Sequence, residues 1–232
     1  MLTSDIRKMK NLNLLYQWTL KIAMQERVRY NVRRYIWCFG KLLKEVLRYM
    51  KLNEHIFLIG FMGCGKSTNA RYMCRMTGAK QLEMDQKIVE EQGMAITELF
   101  SKYGEAHFRA IETELIRSLK DQPPMVVSCG GGAVLREENV ALMKECGKIV
   151  LLTASPETIY ERVKHSTDRP VLNGNMNVEY ISGLMETRRP KYEAAADIVI
   201  STEMKNTREI CEEILEKLNR LRARARRLAK HE

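Results

Sequence analysis

Gly60-Phe61-Met62-Gly63-Cys64-Gly65-Lys66-Ser67 fits the phosphate-cradling pattern G-x-x-x-x-G-K-[ST]. The apolar run His55-Ile56-Phe57-Leu58-Ile59 precedes it and reads as a strand, and the residues from Thr68 to Met73 can continue a helix. Glycines let backbone N–H groups converge on phosphate oxygens, and a helix N-terminus adds a positive dipole end at the same place. In that reading Lys66 reaches the β- and γ-phosphates and Ser67 holds Mg²⁺. A strand before and a helix after the glycines favour a nucleotide site over a chance glycine-rich turn.

Outward from this loop, short apolar runs alternate with amphipathic stretches, the pattern of a parallel sheet covered on both faces. Strands are predicted at 55–59, 80–84, 124–128, 148–152 and 197–200. Helices are predicted at 66–77, 85–92, 95–102, 104–120, 137–145, 156–164 and 177–194, with a last one from about Thr207 into the basic tail. Pro123-Pro124 is expected to close helix 104–120. Residues 165–175 are polar and rich in turn formers, which makes them a candidate lid.

The 232-residue chain carries a net charge of +10, but the charge is unevenly spread. Residues 1–53 hold 12 Lys and Arg against 3 Asp and Glu, and residues 219–232 hold 6 against 1. The intervening residues hold 21 against 25, so the segment with the phosphate loop is slightly acidic. The basic character therefore gives no specific nucleic-acid signal for that segment. We expect three regions: a basic amphipathic extension over 1–52, a phosphate-loop domain over 53–218 and a basic tail over 219–232.

The six cysteines form no C-x-x-C pair, and reduced thiols in a cytoplasmic protein are the simplest account. No apolar run approaches the ~20 residues that a bilayer-spanning helix needs. Charged residues also interrupt each apolar stretch near the N-terminus, which argues against a cleaved secretory signal. Four readings of residues 1–52 stay open: a membrane- or nucleic-acid-surface element, a targeting segment, a packed extension, or sequence upstream of the true start. Met50, just before the first strand, favours the last.

The loop names only a donor of phosphate, so the acceptor must be read elsewhere. Glu83-Met84-Asp85 follows the second predicted strand, at the end of the sheet where α/β sites form. One carboxylate is suited to Mg²⁺ through water and the other to an acceptor hydroxyl; Asp85 serving only as a helix N-cap is the plainer alternative. Ser128-Cys129-Gly130-Gly131-Gly132 follows an apolar strand, and three glycines in a row permit close backbone approach to a ligand. Ser128 is a candidate outer partner of the metal. Arg109 and Glu112 stand three apart on one helix face, for which an exposed surface pair is the default reading. Arg169 lies in the candidate lid, and Arg188-Arg189-Pro190-Lys191 supplies a basic cluster suited to an anionic small molecule.

The chain resembles the shikimate kinase family across residues 53–218. The residues that carry the likeness are Gly60 through Thr68, Met84-Asp85 with Ile88 and Glu90, Phe108-Arg109 with Glu112, Gly130 through Val134, Arg169-Pro170, and Arg188 with Tyr192, Ala196 and Asp197. The resemblance implies an α/β fold of the P-loop, nucleoside-monophosphate-kinase-like kind, a five-stranded parallel sheet flanked by helices with a lid. It implies transfer of the ATP γ-phosphate to the 3-hydroxyl of shikimate with Mg²⁺, by a protein expected to be monomeric.

By the same resemblance, Gly63, Cys64, Gly65, Lys66, Ser67, Thr68, Arg162 and Arg169 serve ATP, Arg162 flanking adenine and Arg169 closing from the lid. Asp85, Arg109, Gly130, Gly131, Gly132 and Arg188 bind shikimate, with Asp85 the potential base and the two arginines on the carboxylate. Lys66, Asp85 and Arg169 form the catalytic set, and Ser67 with Glu83, through water, serves the metal. Glu83 departs from the family, which usually has Asp there, so its link to Mg²⁺ must be rearranged and an altered metal preference is expected. Two rivals are weighed against this: another small-molecule kinase of the same fold, such as a gluconate kinase, and a non-catalytic nucleotide-dependent binding module. The triple glycine and the full acceptor set argue against both.

Overall fold

A computed structural model of the chain describes residues 51–164 and 177–229, all within one compact unit, Tyr49–Glu232. The extension 1–49, Met50, the candidate lid with Arg169, and Cys38 lie outside the described residues.

Strand β1 (His55–Ile59) leads through the loop into α1 (Lys66–Thr77), then β2 (Lys80–Glu83), α2 (Met84–Gln92) and α3 (Ile96–Ser118). The chain continues through β3 (Met125–Ser128), a 3₁₀ turn (Ala133–Leu135), α4 (Glu137–Cys146) and β4 (Gly147–Thr153). It ends with α5 (Pro156–Val163), α6 (Val178–Ala195), β5 (Ile198–Ser201) and α7 (Thr207–Leu228). The five strands form one parallel sheet in the order β2-β3-β1-β4-β5, as the alternating pattern predicts.

β1 is the middle strand and is buried along its whole length, because helices cover both faces. Its side chains alternate between two cores. Ile56 and Leu58 pack with Ala70 and Met73 of α1 and with Ile210, Ile214 and Leu218 of α7. Phe57 and Ile59 pack on the other face with Met84 and Ile88 of α2, Ile116 of α3 and Met143 of α4. Full burial of one such side chain stabilises by roughly 1.5–3 kcal/mol. The chain takes β2 and β3 to one side of β1 and β4 and β5 to the other, so the loop after β1 opens where strand order reverses, the usual place for a ligand crevice.

The segments read as helices 95–102 and 104–120 stand as two helices within the run α3, meeting across a kink at Gly104, whose φ of 80° and ψ of 168° are not helical. Other boundaries differ from expectation. That run ends at Ser118, where Leu119 N–H bonds the Ile116 carbonyl and Gln122 N–H bonds that of Leu119. A tightened turn thus carries the chain from Ser118 to Pro123-Pro124. β3 starts only at Met125, since Pro124 has no N–H for the ladder. β2 ends at Glu83, one residue early, so Glu83 rather than Asp85 occupies the N-cap of α2. α7 runs into the basic tail as expected, opened by a reciprocal cap between Asn206 and Glu209. No helix among the described residues is long and apolar enough to cross a membrane.

Candidate active site

The parallel strands end along one edge of the sheet, and there a cleft of about 1030 Å³ opens. Its floor is the loop after β1, where Gly60, Gly63 and Gly65 have φ of 135°, 75° and 93°, values that L side chains rarely adopt. Gly65 is the N-cap of α1, so the loop amides and the helix N-terminus face the same space. Lys66 Nζ donates to the carbonyls of Gly60 (2.9 Å) and Phe61 (3.1 Å), which folds the ammonium over the cradle. Cys64 is buried beneath the loop, while Gly63, Ser67 and Thr68 line the cleft.

Ser67, Ser128 and Glu83 meet at one side of the loop. The Ser67 hydroxyl donates to Glu83 Oε2 (2.9 Å) and stands 3.3 Å from the Ser128 hydroxyl. The pairing of β2 with β3 sets Glu83 beside Ser128. Three oxygen groups at a phosphate loop suit a hard cation such as Mg²⁺, which prefers oxygen ligands and keeps several waters. Among the described residues no cluster of three or more His, Cys, Asp or Glu side chains offers a metal cage, so the fit is to a cation shared with phosphates and water.

Across the cleft, Asp85 in the first turn of α2, Arg109 and Glu112 on α3, and Arg188 on α6 border the glycine turn that follows β3. Arg109 and Glu112 are no exposed surface pair. The Glu112 side chain is 1% exposed, its Oε2 accepts from Arg109 Nη1 at 2.5 Å, and Glu105 accepts from Arg109 Nη2 at 2.9 Å. Glu112 Oε1 is buried without a hydrogen-bond partner among the described residues. Burial pushes the Glu112 carboxyl above its ordinary range, Arg109 pulls it back, and the charges of Asp85 and Glu105 add to the rise.

Two of the three glycines in the turn leave no room for a Cβ, whereas one on Gly131 would meet the Tyr192 hydroxyl at 3.8 Å, an ordinary contact. A Cβ on Gly130 would come within 2.8 Å of Asp85 Oδ1 and 2.9 Å of Glu112 Oε1, and one on Gly132 within 2.5 Å of the Arg109 guanidinium. Tyr192 closes this side. Its hydroxyl donates to the Gly131 carbonyl at 2.5 Å, and burial pushes it up to about 12 while Arg188 works against the shift. The Arg188 guanidinium stands 5.9 Å from the Phe61 ring centroid, against the phosphate loop itself.

At the far end Arg162 Nη1 donates to the Gly63 carbonyl and the Thr202 hydroxyl, both at 3.2 Å. Glu203 next to Thr202 accepts from Ser155 N–H (2.6 Å) and the Thr158 hydroxyl (3.0 Å), bracing the chain after β5 on the start of α5. The Ser155 N–H holds the Glu203 carboxyl below its ordinary range.

The described residues to which the sequence gave ATP, shikimate or metal roles all border one cleft, with the Cys64 side chain buried below it, whereas Ile88, Glu90, Ala196 and Asp197, which also carried the likeness, do not line it. The sequence reading gave Glu112 and Tyr192 no role, although Tyr192 stands four after Arg188 on one helix face. It missed Gln81, two before Glu83 on the same strand face, and Thr202 and Lys205, which line the Arg162 end without a motif to mark them.

Comparison with known proteins agrees. The family model described as "Shikimate kinase" matches residues 62–219. A shikimate kinase of Geobacter metallireducens is 40% identical over 161 residues, 69% of this chain and 89% of that protein. One of Thermodesulfovibrio yellowstonii is 40% identical over 168 residues, 72% of this chain and 96% of that protein. A solved shikimate kinase from Acinetobacter baumannii in complex with shikimate superposes with a TM-score of 0.69 at 28% identity, covering 74% of this chain and 96% of that one. With the phosphate loop, the five-stranded parallel sheet and an arginine-lined acceptor side on one cleft, the chain belongs to the shikimate kinase family.

Proposed function

We propose that this chain transfers the γ-phosphoryl group of ATP to the 3-hydroxyl of shikimate, giving shikimate 3-phosphate and ADP. The observation that carries the reading is the acceptor side, where Asp85, Arg109 and Arg188 border a glycine turn opposite a phosphate loop. Two guanidinium groups suit a carboxylate, since each planar fork can donate two parallel hydrogen bonds to it. Arg109 is held ready by Glu112 and Glu105, and Arg188 by its seat against Phe61.

In the proposed reaction the shikimate 3-hydroxyl oxygen forms a bond to the γ-phosphorus as the bond to the β,γ-bridging oxygen breaks, and the hydroxyl proton passes to the Asp85 carboxylate. Lys66 exchanges the Gly60 and Phe61 carbonyls for phosphate oxygens and neutralises charge that develops on them. Gly63, Cys64, Gly65, Ser67 and Thr68 bind the phosphates, and Arg162 flanks the base. Ser67 and, through water, Glu83 would hold Mg²⁺, which would supply further charge neutralisation at the phosphates. Arg169, outside the described residues, is assigned to the lid.

The reading includes a cytoplasmic monomer. Among the described residues Cys64, Cys74, Cys129, Cys146 and Cys211 are free thiols, which suits a reducing compartment. A dimer mass at sedimentation equilibrium would remove the monomer assignment. The reaction is tested by ADP release from MgATP with shikimate, gluconate or a nucleoside monophosphate as acceptor. Release with shikimate alone is expected, and release with gluconate but not shikimate would overturn the proposal.

A further inference from the structure

β2 is an edge strand, and strand side chains repeat every two residues, so Gln81 and Glu83 stand on one face. The Gln81 amide donates to Glu83 Oε1 at 2.5 Å, and Glu83 Oε2 accepts from the Ser67 hydroxyl at 2.9 Å. The same amide nitrogen stands 3.5 Å from the Ser67 carbonyl oxygen. One neutral side chain thus ties the carboxylate to Ser67 in the first turn of α1, and both carboxylate oxygens are engaged.

Glutamate has one more rotatable bond than aspartate, so an unrestrained Glu83 would lose more freedom each time a metal-bound nucleotide ordered it. A partner fixing one oxygen leaves the other aimed at Ser67 beforehand. An amide does this without charge, where a lysine would neutralise the carboxylate that is to serve a cation. We propose that Gln81 is a positioning residue for the metal pocket, holding the Glu83 carboxylate against Ser67 before the nucleotide arrives. The proposal rests on the kinase reading above, in which Ser67 and Glu83 serve Mg²⁺. Its distinguishing consequence is that Gln81 matters for metal-bound nucleotide and not for metal-free nucleotide.

The test is calorimetric titration of the whole chain with ADP, once with Mg²⁺ and once with a chelator, for wild type, Gln81→Met and Gln81→Asn. Methionine nearly keeps the length and removes the amide; asparagine keeps the amide but withdraws it. In both variants MgADP affinity should fall about tenfold, the scale of losing an outer-shell partner, with metal-free ADP affinity unchanged. Unchanged MgADP affinity would overturn the proposal. So would an equal fall with and without Mg²⁺, or failure of both variants to fold, since each marks Gln81 as a packing residue of the edge strand. Wild-type turnover with shikimate in the same preparation separates the two levels. If wild type phosphorylates shikimate while the variants keep MgADP affinity, only the positioning role fails; if wild type does not, the kinase reading fails.

Discussion

The phosphate side and the acceptor side of the cleft are built by different means. The first is centred on one contiguous stretch, Gly60 to Thr68, to which Glu83, Ser128 and Arg162 are added, and its geometry lies chiefly in the backbone: three glycines at positive φ and a helix that starts at Lys66. The second draws Asp85, Arg109, Glu112, the glycine turn, Arg188 and Tyr192 from four parts of the chain, and its geometry lies in side chains holding one another. A contiguous site tolerates changes elsewhere, whereas a dispersed one fails when any brace is lost. Damage on the two sides should therefore be separable.

Lys66→Ala should do the most harm, taking turnover to background, a loss of at least about 10²–10³-fold for one preorganised donor. Shikimate affinity should survive, and a steady-state assay with a separate shikimate titration checks both. Arg188→Ala comes next. A lost charge-assisted hydrogen bond is worth about 1.5–3 kcal/mol, which should appear as a raised shikimate KM with ATP affinity nearly intact. If ATP affinity fell in parallel, the two sides would not be separable.

Glu112→Gln probes the brace rather than the grip. Burial raises the Glu112 carboxyl above its ordinary 4.5, so over that window the native protein keeps a proton that the unfolded chain has released. Stability contributed by Glu112 is therefore present at low pH and lost as pH rises through the native value. The glutamine variant has no such proton, and its melting temperature should decline less across the window. Parallel profiles for the two proteins would contradict the assignment. Glu83→Asp should have the smallest effect: activity is retained, and the ratio of Mn²⁺- to Mg²⁺-supported rates shifts because the shorter carboxylate withdraws from Ser67 and Gln81. Identical metal profiles would remove any special role for the longer side chain.

The contrast between the two sides also explains what the sequence made legible. The phosphate loop could be read outright because its residues are neighbours in the chain and glycine positions report backbone shape directly. The strands were legible too, since a parallel sheet covered on both faces demands continuous apolar runs such as His55–Ile59. The Arg109–Glu112 pair was visible at its helical spacing, but spacing carries no burial, and the charged pair was expected at the surface until the Gly130–Gly132 turn was seen packed over it. Gln81 gave no signal at all, because a polar residue in an edge strand looks solvated unless its neighbour's carboxylate is known to turn toward the phosphate loop. The end of β2 lies one residue earlier than the apolar pattern suggests, because Met84, a good helix former, opens α2, and the Glu83 side chain serves the cleft rather than capping α2.

On the proposed reading the acceptor side reads a carboxylate with Arg109 and Arg188. The most direct measurement is a calorimetric titration of the ADP-bound protein with shikimate and with its methyl ester, which keeps the ring and hydroxyls but neutralises the carboxylate. Shikimate should bind and the ester should lose most of that affinity, with the difference largely abolished in Arg188→Ala. Equal affinity of wild type for the acid and the ester would contradict that reading.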